Sequence, residues 1–120
     1  MFRSYINFMG IMFNKNYFKI VFCDEYPERI DTDIIYIMGE GRFFWSIILK
    51  CPCGCGDIMQ LNLHKDTHPY WNIKFHISGA ISISPSIWKK DGCRAHFYIK
   101  RSNLIWAGAI QRHVLYKDRV

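Results

Sequence analysis

Three cysteines fall within five residues in Cys51-Pro52-Cys53-Gly54-Cys55-Gly56, and a fourth, Cys93, stands three residues before His96. No other feature restricts the fold as much. Pro52 has no backbone donor and both glycines tolerate positive φ, so the block cannot be regular structure and must be a loop. Thiolates and imidazole are the ligands of a tetrahedral, borderline-soft ion such as zinc. Two ligand clusters so far apart in sequence can close on one ion only if the fold brings two loops together. Cys51, Cys53, Cys55, Cys93 and His96 are five candidates for four positions, leaving one spare, free or catalytic. Iron is the weaker choice, because a Rieske-type site needs a second histidine that the first cluster does not offer. A cytoplasmic chain, the reading taken here, disfavours a disulfide such as Cys51 to Cys93. Cys23 falls on a predicted strand and reads as an inert core thiol.

The rest of the chain predicts β structure. Its eighteen isoleucines and twenty aromatic residues far outnumber its nine alanines and leucines, and stiff, branched or aromatic side chains favour pleated surfaces over helices. At 120 residues the chain has room for one domain. The expectation is a mainly β fold: a single small antiparallel sandwich or open barrel with a zinc-binding knuckle. Residues 1–16 are read as an N-terminal extension and 17–120 as the domain that holds the metal site. No apolar run is long enough to span a bilayer.

Tyr17 to Phe22 reads as a strand followed by an acidic surface turn, Asp24 to Asp33. Ile34 to Met38 and Phe43 to Leu49 form a hairpin around Gly39-Glu40-Gly41. Met59, Leu61 and Leu63 alternate with polar residues, as do Trp71, Ile73, Phe75 and Ile77, which give the cleanest half-buried strand pattern. Ser84 to Trp88 breaks the alternation. Phe97 and Ile99 mark another strand, Arg101-Ser102-Asn103 reverses it into Leu104 to Trp106, and the tail from Ala107 is a short helix or loose.

The net charge is +6, and residues 61–120 carry all of the excess. Lys89, Lys90, Arg94, Lys100 and Arg101, with Trp88 and Tyr98, form a basic and aromatic group suited to a protein tail or to single-stranded nucleic acid. No RNA-binding or helix-turn-helix pattern supports nucleic acid. His76 lies on the polar face of its strand, and Ser84 and Ser86 flank Pro85. His64, His68 and His113 have no matching partner.

The order Tyr26-Pro27-Glu28, Ile35-Tyr36-Ile37, the block 51–56, Leu61-Asn62-Leu63, Trp71, Ser84-Pro85-Ser86-Ile87, Gly92-Cys93-Arg94-Ala95-His96-Phe97 and Trp106 resembles the BubE-like family of small bacterial proteins. Its members accompany E1-like, E2-like and ubiquitin-like proteins in bacterial conjugation operons. The resemblance implies a serine-type peptidase that trims or removes the ubiquitin-like protein at its C-terminus. It also implies that protein or its conjugates as the partner, together with E1-like and E2-like proteins; no membrane is expected, from the lack of a spanning apolar run.

One position departs from the family pattern, which has serine where this chain has Ala95. Were that serine the nucleophile, this chain would be an inactive form, with His76 the leading base if His96 is consumed by the metal. Otherwise position 95 is a small residue beside a ligand, and Ser86 or a metal-bound water is the fallback for the attacking group. The function of different class is a non-catalytic zinc-binding module that recognises a protein or nucleic acid.

Overall fold

A computed structural model describes residues 18–107. The extension assigned to residues 1–16 and the tail beyond Ala107 lie outside the described residues. The described residues form eight strands: β1 (Lys19–Cys23), β2 (Ile34–Glu40), β3 (Phe43–Lys50), β4 (Ile58–Asn62), β5 (Asn72–Phe75), β6 (Ile81–Trp88), β7 (His96–Lys100) and β8 (Asn103–Trp106). They form two sheets of four, in the orders β1-β2-β3-β4 and β5-β6-β7-β8. Ile35, Ile37, Ile47, Leu49 and Leu61 from the first sheet pack with Ile81, Ile83, Ile87, Phe97, Ile99 and Leu104 from the second in one buried cluster. The fold is therefore the sandwich, its core made by the inward rows of both sheets.

The period-2 rule explains which side chains enter that core. Along β7, Phe97 and Ile99 are fully buried while His96, Tyr98 and Lys100 alternate with them on the outer face. The turn after β7 is pinned from inside: fully buried Ser102 exchanges backbone bonds with Ile81 and Phe18, and its hydroxyl accepts from the Ile81 N–H at 3.0 Å. Phe18 thus ties the lead into the first sheet to the second.

Three local features differ from the expectation. β1 and β2 are parallel, with Lys19 opposite Ile34 and Cys23 opposite Met38. Residues 24–33 are more than a surface turn, since they carry the chain back to the start of β1, and Ile30 within them is buried against Tyr36, Met38 and Ile48 on the outer face of the first sheet. The Trp71 to Ile77 alternation yields only a short strand: Phe75 is 48% and Ile77 108% exposed. Here β5 is a sheet edge, and the turn that follows it, closed by His76 N–H to Ala80 O and Gly79 N–H to His76 O, leaves Ile77 in solvent.

A further difference shapes the site. Ser84 to Trp88 does not end the strand; β6 runs through it. Ile83 pairs with Ile99 and Ile87 with Phe97, so β6 spends four residues where β7 spends two. Pro85 cannot donate to a ladder, and a bulge accommodates it. Because the insertion is even, Ile83 and Ile87 both still face the core, and Ser86 falls on the outer side.

Candidate functional site

The site is built at one end of the sandwich, where the β3–β4 and β6–β7 loops meet. The first loop supplies Cys51, Cys53 and Cys55 and the second Cys93. All four sulfurs lie within 4.8 Å of one another. Cys51 is 3.5 Å from Cys53 and 3.6 Å from Cys93, and Cys55 is 3.7 Å from Cys93. A tetrahedral ion with metal–sulfur bonds of ~2.3 Å requires sulfur–sulfur edges of roughly 3.8 Å, so these free thiols fit such an ion.

Gly54 and Gly56 have φ of 95° and 91°, the freedom needed to aim three thiols from one tight loop. Backbone N–H groups of Cys55 and Asp57 point at the sulfurs of Cys53 and Cys55 at 3.3 and 3.5 Å, which favours thiolate charge. The Cys93 thiol is lowered to about 7, first by the Ala95 N–H and then by the neighbouring thiols, against burial. Burial pushes Cys51 the other way. Lys89, its side chain 15% exposed, reaches across to Asp57 at 2.8 Å and adds a second tie between the two loops.

His96 stands outside the thiol group. Its Nε2 lies 2.9 Å from Ser86 Oγ, and its ring stacks on the Trp88 indole with centroids 4.6 Å apart and planes 8° from parallel. The bulge and the β6–β7 pairing produce this contact: Trp88 sits opposite His96, and the displaced Ser86 reaches the same ring. The Trp71 indole N–H donates to the Ser86 carbonyl at 3.1 Å, anchoring the bulge from the β5 side. Among the described residues, no hydrogen bond reaches His96 Nδ1, and the indole stack sets the ring's orientation.

The other site candidates are placed elsewhere. Ala95 belongs to the inward row with Phe97 and Ile99 and is 7% exposed in the inter-sheet core. His76 Nε2 lies 2.8 Å from Ser82 Oγ, which also accepts from the Arg101 N–H at 2.9 Å. Burial, Arg101 and Lys74 hold the His76 imidazole below its ordinary range. Sequence reasoning missed Ser82 and the stacking role of Trp88. The signal was present as Ser82, Ser84 and Ser86 at alternate positions beside a tryptophan, a row of hydroxyls along one strand.

A two-sheet β-sandwich with a four-thiol knuckle, carrying a serine–histidine pair at the root of the same hairpin, defines the class of protein. Over residues 22–107 the sequence matches the family described as bacterial ubiquitination-like system serine protease (BubE), and the chain belongs to that family. No curated protein and no solved structure matches the chain. Among the described residues no helix is long and apolar enough to cross a membrane.

Proposed function

We propose that the chain is a peptidase that processes or deconjugates a bacterial ubiquitin-like protein at its C-terminus, with Ser86 as nucleophile and His96 as general base. The 2.9 Å contact between Ser86 Oγ and His96 Nε2 carries this reading, because a serine hydroxyl is a weak nucleophile until a positioned base takes its proton. Ser86 Oγ attacks the scissile carbonyl carbon as its proton passes to His96 Nε2. The imidazolium gives that proton to the departing amine, and water activated by the same nitrogen releases the acyl group. Stacking on Trp88 holds the ring in the plane the transfer needs and favours the imidazolium that forms.

Zinc is the ion proposed for Cys51, Cys53, Cys55 and Cys93. Bound there, it supplies a cross-link between two loops, since a full set of four protein ligands leaves no open position for substrate. His96 is then free to act as the base. Position 95 faces the core, which supports Ser86 over residue 95 as the source of the attacking oxygen.

The test is cleavage of a ubiquitin-like precursor that bears a C-terminal extension. Ser86→Ala should lower turnover by about 10³-fold or more and His96→Ala by at least about 10²-fold, both with the thermal midpoint retained. Cleavage that survives Ser86→Ala but is lost in His76→Ala would transfer the chemistry to the His76–Ser82 pair.

A further inference from the structure

Across the outer face of the second sheet run two aromatic rings and two cations with His96 at their centre. Trp88 stacks on one side of the imidazole, and Lys90 Nζ lies over the indole, 4.4 Å from its centroid. Tyr98 neighbours the imidazole at 6.0 Å, and Lys100 Nζ lies over the phenol at 5.7 Å. Lys90 and Lys100 are exposed, and so is Trp88 at 53%. Over residues 72–106 the single carboxylate is Asp91, and it lies beside Lys89 at 3.5 Å in the hairpin turn. Among the described residues no carboxylate pairs with Lys90 or Lys100.

From this geometry we infer that the row Lys90, Trp88, His96, Tyr98, Lys100 is a substrate strip that takes an extended acidic peptide, with carboxylates on both sides of the scissile bond. The inference rests on the Ser86–His96 reading, which puts the bond to be cut at the middle of the row. Lys100 stands four residues along β7 from His96, roughly 13 Å at ~3.3 Å per residue. An extended chain centred on Ser86 therefore meets Lys100 with a side chain about four residues from the cleaved bond. Lys90 lies nearer, across the indole. Charge complementarity of this kind raises the encounter rate and sets register more than it adds raw affinity. A stacked nucleobase is the less suitable ligand, because the Trp88 ring already holds an imidazole against it and an ammonium over it, whereas base recognition needs a free aromatic face.

Ser86→Ala chain, which keeps the strip and lacks the attacking hydroxyl, is titrated with labelled peptides that flank one central amide by aspartates, by lysines or by asparagines, and with oligouridylate. The aspartate peptide should bind tightest, and its affinity should fall as salt is raised. Adding Lys90→Gln or Lys100→Gln should weaken it about 3- to 5-fold each, Lys100→Glu should reverse the preference between acidic and basic peptides, and Lys19→Gln on the opposite sheet should change nothing. Equal affinity for the three peptides, or tighter binding of oligouridylate, overturns the inference. Binding is read without turnover, so an acidic peptide that binds as expected but is never cut by the native chain counts against the Ser86 nucleophile and not against the strip.

Discussion

Cys51 and Cys93 stand 42 residues apart in sequence, yet their sulfurs are 3.6 Å apart. Cys51 closes a strand of the first sheet and Cys93 lies in a hairpin of the second, so this contact joins the two halves of the sandwich at one end. A metal bound by these four thiols would contribute to folding itself, because the unfolded chain has no preformed site. Elemental analysis should find one zinc per chain. Stripping it with a strong chelator, or replacing Cys93 by Ser, should cost at least about 4 kcal/mol and lower the thermal midpoint by on the order of 20 °C. An unmoved midpoint after verified metal loss would show that the thiols pack without an ion.

Ala95→Ser puts a hydroxyl into the inter-sheet core beside Phe97. The expected result is a loss of about 1–3 kcal/mol for a buried group short of partners, with no gain in cleavage. A large gain would make position 95 the nucleophile and Ser86 a bystander.

The neutral form of His76 is favoured in the fold, first by burial and then by Arg101 and Lys74. With the folded value below the unfolded one, the contribution of His76 to stability is complete above about pH 6.5, the ordinary histidine value, and is lost as pH falls toward the folded value. The midpoint of the native chain relative to His76→Gln should therefore be higher at pH 8 than at pH 5. The opposite trend would show that the folded state prefers the imidazolium.

Phe97 is fully buried and its ring meets Trp106 edge-on at 5.7 Å. Phe97→Ala should cost about 3–5 kcal/mol by chemical denaturation. Gly39→Ala should also destabilise, for a different reason: an added Cβ would collide with the Phe43 carbonyl and the Phe44 ring where the β2–β3 register shifts. If Gly39→Ala proves neutral, the hairpin relaxes there without cost.

How much was legible in the sequence depended on how local each feature is. The knuckle was readable because its causes lie within six residues: Pro52 and the two glycines forbid regular structure, and three thiols in that loop are the donor set of a metal site. The β2–β3 hairpin and β7 were readable because alternation reports burial residue by residue. Assignment of the partners was a matter for tertiary structure. His96 follows Cys93 by three residues, a spacing that groups it with the thiols, but its side chain leaves the opposite face of β7 from Ala95 and meets Ser86. Whether it does so depends on how many residues the bulge in β6 absorbs, and an insertion of two keeps Ile83 and Ile87 inward while moving Ser86 beside the ring. Likewise the run Trp71 to Ile77 has an apolar period regardless of whether anything covers it, and only the end of β5 at a sheet edge decided that Ile77 stays in water. Periodicity and spacing are properties of neighbours along the chain; a serine–histidine contact is a property of register between strands, which is set by the whole packed core.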